Sequence, residues 1–98
     1  HTINNALLVC AGILYGQLDF GKSIGIAVGA ALDTDCNGAT VGSIVGMMLG
    51  AKRMPEYWTT PLQDTLETGV HGYNIVPISK AAEYTLKVAQ HAIETYKK

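Results

Sequence analysis

The sequence predicts an all-α fold, and three observations carry that prediction. Apolar residues recur at the three- and four-residue spacing of helices along most of the chain. Glycines fall every fourth residue within the apolar segments, which places them on single helix faces. All three prolines lie beyond residue 51 together with two further glycines, so one irregular segment is expected at about 52–78.

Four helices are predicted along the chain. Their expected ranges are 3–17, 20–31, 36–51 and 79–96. Asp19 is expected to cap the second helix and Ser79 the last one, because both residue types accept hydrogen bonds from helical N–H groups. The last helix is amphipathic, with an apolar inner stripe at Ala82, Leu86, Ala89, Ile93 and Tyr96.

The glycine stripes predict that helices approach each other closely. A glycine inside a helix costs about 1 kcal/mol relative to alanine, and a missing side chain lets two backbones come near each other in return. Membrane hairpins also use such stripes, but segment 36–51 is about 24 Å long at helical rise, shorter than a bilayer core. No membrane partner is therefore expected. The stripes are Gly12 and Gly16; Gly21, Gly25 and Gly29; and Gly38, Gly42, Gly46 and Gly50.

The composition is uneven along the chain. Residues 1–51 hold nine of the eleven glycines but only four charged residues, whereas residues 52–98 hold the other eleven charges. Such an apolar half is typical of sequence buried on all sides, and 98 residues leave little chain to cover it. We therefore expect residues 1–98 to be part of a larger domain, or to need a second copy of the chain.

The overall balance excludes some classes of function. A hydrophobic share of 48% excludes a disordered tail, and a net charge of −1 excludes a general basic surface for nucleic acid. The two cysteines, Cys10 and Cys36, are too few for a disulfide scaffold and lie among apolar residues. They favour free thiols in a reducing compartment, and a cytoplasmic location is expected.

The most informative segment is Asp33-Thr34-Asp35-Cys36-Asn37-Gly38. Lys22 is the one cation in residues 1–51, so local salt bridges cannot neutralise both carboxylates. Either the acids cap the third helix in solvent, or they hold a hard cation such as Mg²⁺ or Ca²⁺. The segment also matches the opening of an EF-hand loop, but Ile44 stands where that loop needs a glutamate, so an EF-hand is not expected.

Residues Asp33 to Gly42, followed by Gly46 and Gly50-Ala51, resemble the C-terminal metal motif of the ADP-ribosylglycohydrolase family, which includes the J-type crystallins. The resemblance extends upstream to His1 and downstream to Trp58. It implies that the chain is the C-terminal part of a single helical domain whose N-terminal part is absent. The implied activity of the intact protein is hydrolysis of the bond between ADP-ribose and a protein side chain, or of a related linkage.

The resemblance also implies a metal site. Members of the family hold two Mg²⁺ ions, or Mn²⁺ in some cases, with ligands from an N-terminal acidic motif and from this C-terminal one. Carried over, Asp33 and Asp35 are expected metal ligands, with Asp35 bridging both ions. Cys36 stands where the family usually has Thr or Ser, and a thiol is a poor match for Mg²⁺. The 98-residue chain alone is expected to be inactive, because half of the ligands are missing.

Two questions stay open at this point. Asn4, Asn5 and Asn37 could contact the ADP-ribosylated substrate, or they could satisfy helix ends. The alternative to an enzyme is a non-catalytic member of the family with a binding or structural, crystallin-like role.

Overall fold

The computed structural model describes residues 2–97, and the chain divides into two compact units between Pro55 and Glu56. The first unit contains three helices, which we call α1 (Thr2–Gly16), α2 (Phe20–Gly29) and α3 (Thr34–Leu49). A 3₁₀ turn, Ala51–Arg53, follows α3. The sequence-based ranges agree with these helices to within two residues at each end.

The three helices pack against one another around a small core. Its buried apolar residues are Phe20, Ala27, Val41 and Val45. Two polar residues are also buried there, Ser23 on α2 and Asn37 on α3. The core therefore comes from α2 and α3, and α1 contributes glycine backbone to it, since Gly12 and Gly16 are the buried residues of α1.

The predicted close approach holds for part of the glycine pattern. A Cβ atom added at Gly12 would lie 2.9 Å from the Ser23 carbonyl oxygen, and one added at Gly16 would lie 2.8 Å from the Ser23 Cα. Gly38 is also tight, at 3.1 Å from Val28 Cγ2. The prediction was wrong for Gly25, Gly29 and Gly50, because no described atom apart from the neighbouring backbone of the same helix lies within 4 Å of a Cβ placed there. Spacing identifies a glycine face without showing whether a neighbour covers it.

The second unit contains the irregular segment and the last helix. It begins with α4 (Glu56–Thr59) and a 3₁₀ turn at Thr60–Leu62. Strands β1 (Thr65–Glu67) and β2 (Ile75–Pro77) then pair antiparallel, with Leu66 opposite Val76. Helix α5 (Ile78–Tyr96) follows directly. The all-α prediction is confirmed, and the irregular segment holds this small sheet.

The start of α5 corrects a prediction. Ser79 is not its N-cap, because the helix begins at Ile78 with Pro77 in the cap position. Instead, Ser79 donates from its backbone N to Asp64 Oδ1 at 2.8 Å and from its hydroxyl to Asp64 Oδ2 at 2.5 Å. The cap is thus an aspartate from fifteen residues upstream.

The predicted inner stripe of α5 is not buried. Leu86 and Ile93 are 57% and 63% exposed, and Tyr96 is 84% exposed. Its polar side matches expectation, because Glu83 lies 3.5 Å from both Lys80 and Lys87. Among the residues described, no helix combines the length and apolar character needed to cross a bilayer.

Candidate metal centre

The acidic motif lies where α2 gives way to α3. Ala31 ends the preceding turn with a left-handed φ of 58°, and Asp33 occupies the N-cap position of α3. Asp35 and Cys36 lie in the first turn of that helix. One ligand-type atom from each of Asp33, Asp35 and Cys36 lies within 4.8 Å of the other two, and all three residues are exposed. The local fold thus brings the three predicted residues together.

The side chain of Asp33 makes no capping hydrogen bond. Asp19 differs, since its carboxylate accepts from Lys22 N at 2.9 Å and caps α2 as predicted. Capping therefore accounts for the carboxylate of Asp19 but not for that of Asp33. This difference weakens the interpretation that both acids of the motif serve only as helix caps.

The carboxylate of Asp35 is held in its charged form. A hydrogen bond with the Asp33 side chain, and then bonds from the backbone N–H groups of Cys36 and Asp35, lower the pKa of Asp35 from its ordinary value. A negative charge in the first turn of a helix is also favourable. At neutral pH, Asp35 therefore presents a negatively charged oxygen donor to solvent.

Cys36 behaves in the opposite way. A hydrogen bond with Asp33, and then the negative charges of Asp33 and Asp35, raise the pKa of the Cys36 thiol. The neutral thiol is accordingly favoured, and a neutral thiol is a weak metal ligand. Cys10 and Cys36 are both free, as the sequence predicts.

The donor set fits a hard divalent cation. Two exposed carboxylates within reach of each other suit Mg²⁺ or Mn²⁺, which prefer oxygen ligands and often bind through one or two carboxylates plus water. The thiol does not suit Mg²⁺, so Asp33 and Asp35 are the residues that could hold the ion.

The three asparagines considered as substrate contacts differ in their surroundings. Asn37 is 3% exposed, and its Nδ2 donates to Asn5 Oδ1 at 3.1 Å. Asn4 is exposed and lies outside this contact. The pairing of Asn5 with Asn37 spans 32 residues, and no spacing rule in the sequence indicates it.

The second unit offers an open groove of about 840 Å³. It is lined by Glu56, Tyr57, Trp58, Thr60, Pro61 and Gln63. The rings of Tyr57 and Trp58 meet edge to face, with centroids 5.7 Å apart.

Within the described part of the chain, the cluster at Asp33 is the one group of three or more potential metal-ligating side chains.

The fold and the site together define an all-α protein with an acidic candidate metal centre at a helix N-terminus. The sequence model of one family, ADP-ribosylglycohydrolase, matches residues 1–92 of the 98. The chain belongs to the ADP-ribosylglycohydrolase family. No curated protein and no solved structure matches it.

Proposed function

We propose that this chain supplies part of the metal site of a Mg²⁺-dependent ADP-ribosylglycohydrolase, which cleaves ADP-ribose from a protein side chain or a related conjugate. One observation carries the proposal: Asp33, Asp35 and Cys36 come together at the start of α3, inside the segment that the family model matches. A glycohydrolase activity is what membership of the family suggests.

Asp33 and Asp35 are the proposed ligands, and Mn²⁺ could replace Mg²⁺. When bound, such an ion supplies Lewis-acid activation of water and a positive charge that orients hydroxyl groups. The two aspartates act as holders of the ion, because a carboxylate committed to a metal is a poor free base. Cys36 is left outside the ligand set, since its thiol is kept neutral by the adjacent acids.

The proposed enzyme needs more than these 98 residues. Two aspartates provide few of the ligands that a dinuclear centre requires, so the others would come from the N-terminal part of the same domain. Exposed apolar side chains on α1 support a covering partner, because Ile3, Leu7 and Leu14 are 76%, 63% and 72% exposed. The isolated chain is accordingly proposed to be inactive.

The test replaces Asp35 by asparagine in the full-length protein. We expect Asp35→Asn to lower Mg²⁺-dependent release of ADP-ribose by at least about a hundredfold, because even the outer partners of a metal ligand are worth about ten- to a hundredfold. The measurement is ADP-ribose released from arginine-linked and serine-linked conjugates, with Mg²⁺, with Mn²⁺ and with chelator.

Asp19→Asn is the matched control. It also removes one negative charge at a helix N-terminus, but asparagine can still cap α2 and Asp19 lies outside the acidic cluster. Unchanged turnover in Asp35→Asn would overturn the assignment of the site. Metal binding without turnover on any ADP-ribose linkage would instead favour a non-catalytic, crystallin-like member of the family.

A further inference from the structure

Asn37 joins the acidic turn to a distant helix. Its backbone N donates to the Asp33 carbonyl oxygen at 2.9 Å, which is the first hydrogen bond of α3. Its side chain Nδ2 donates to Asn5 Oδ1 of α1 at 3.1 Å. One residue thus bonds both to the residue that opens the acidic motif and to Asn5 of α1, which lies 32 residues earlier.

Breaking the hydrogen bond between Asn37 and Asn5 is expected to cost free energy. Asn37 is 97% buried, since it is only 3% exposed, and a buried amide that loses its partner pays a desolvation penalty. Asp33, Asp35 and Cys36 are all exposed, so surrounding side chains do not pack around them and hold them in place. The nearest buried anchor of the acidic turn in sequence is therefore Asn37.

We propose that Asn5 and Asn37 form a positioning pair, which fixes the first turn of α3 so that the carboxylates of Asp33 and Asp35 are held for one cation. The pair does not contact the ion; it acts through the backbone of the turn. This inference rests on the proposed metal site.

The test measures metal affinity, with Mn²⁺ as the probe. Mn²⁺ is titrated to millimolar concentration into the full-length protein, and the free ion is followed by its electron paramagnetic resonance signal. Asn5→Ala removes the acceptor and is expected to weaken Mn²⁺ binding by about tenfold, the lower end for a partner behind a metal ligand. Far-UV circular dichroism confirms that each variant is folded at the temperature used.

Three controls separate positioning from general damage. Asn4→Ala changes the neighbouring exposed asparagine and should leave the affinity unchanged. Val45→Ala creates a cavity in the same unit about two helical turns after Asn37, and it should lower the urea midpoint while leaving the affinity per folded molecule unchanged. Asn5→Asp keeps an acceptor for Asn37 Nδ2. It should therefore bind Mn²⁺ at least as tightly as Asn4→Asp, which adds the same negative charge at the adjacent residue.

The outcomes distinguish this inference from the proposed function. If wild type and Asp35→Asn bind Mn²⁺ equally, the assignment of the metal site is wrong, and the positioning role of Asn5 and Asn37 is overturned with it. If Asp35→Asn loses binding but Asn5→Ala binds like Asn4→Ala, the site stands and the positioning role is overturned. An equal loss of affinity in Val45→Ala and Asn5→Ala also overturns it, because the effect would then follow from stability alone.

Discussion

Replacing Gly16 by alanine adds a single methyl group, and we expect this small change to disturb the packing of α1 on α2. A Cβ atom there would lie 2.7 Å from the Ser23 Cβ and 2.8 Å from its Cα, and real Cβ atoms do not come that close. Ser23 is fully buried, and in the described part of the chain its hydroxyl has no hydrogen-bond partner. We expect Gly16→Ala to push α1 away from α2 and to lower the free energy of unfolding by about 1–3 kcal/mol, as measured in urea.

Gly25→Ala is the matched control for that variant. Gly25 also lies inside a helix, but no described atom apart from the neighbouring backbone of that helix lies within 4 Å of an added Cβ. Alanine there should stabilise the chain by up to about 1 kcal/mol, since glycine is the poorer helix former. Equal effects of the two substitutions would contradict the assignment of Gly16 to a tight helix contact.

The sequence predicts single residues well where their partners are local. Asp33 and Asp35 lie two apart on one turn, so their proximity follows from chain geometry alone. Asn5 and Asn37 are 32 residues apart, and their contact depends on how α1 packs on α3. Gly16 and Gly25 share one spacing pattern, yet tertiary packing covers only the first of them. The local pattern therefore identifies the candidate ligands, but it does not indicate tertiary contacts such as that between Asn5 and Asn37.

At the scale of the element, α5 depends on Asp64. The carboxylate accepts from the backbone N and the hydroxyl of Ser79, and the Asp64 carbonyl accepts from Ile78 N at 3.0 Å. These bonds tie the start of α5 to the residue just before β1. We expect Asp64→Ala to expose the Ser79 amide to exchange, whereas the Ile78 amide keeps its backbone acceptor, and to lower the melting temperature by a few degrees. Amide exchange by NMR and thermal melts measure both effects.

The same contact predicts a dependence on pH. The Ser79 hydroxyl, and then the Ser79 backbone N–H, lower the pKa of Asp64 below its ordinary 3.8. A lowered folded pKa means that the stabilisation is present above 3.8 and is lost as pH falls through the folded value. Ser79→Ala keeps the backbone bond and should therefore show a smaller loss than Asp64→Ala. Parallel acid-melting profiles for wild type and Asp64→Ala would contradict the role of the charge.

Helix ranges follow from periodicity, whereas the details of helix ends do not. The sequence places α1, α2 and α3 because their apolar spacing and the cap at Asp19 are local signals. Ser79 looks like a local cap, but the acceptor at the start of α5 comes from fifteen residues upstream, across a strand pair. That strand pair, Thr65–Glu67 with Ile75–Pro77, is also too short for its alternation to be recognised.

At the scale of the molecule, the half of the sequence with few charges also leaves apolar side chains of its helices exposed. Helix α1 contains no charged residue, yet its apolar side chains Ile3, Leu7 and Leu14 are mostly exposed. Met47 on α3 is 85% exposed as well. Large exposed apolar patches are uncommon on soluble monomers and mark interaction sites. The first unit therefore presents one face that its own helices bury and another whose apolar side chains they leave exposed.

The partner that we propose for this face is the N-terminal part of the same domain, and Leu14 tests it. Leu14→Gln should weaken binding of a separately expressed N-terminal part by roughly tenfold in dissociation constant, since burying the exposed part of a leucine is worth about 1.5 kcal/mol. Titration calorimetry measures that change. The urea midpoint of the chain should barely move, because Leu14 is 72% exposed, whereas truncation of buried Val45 to alanine should lower it. If sedimentation velocity instead shows that the chain is a dimer which Leu14→Gln converts to a monomer, a second copy covers the face, and the N-terminal part is the wrong partner.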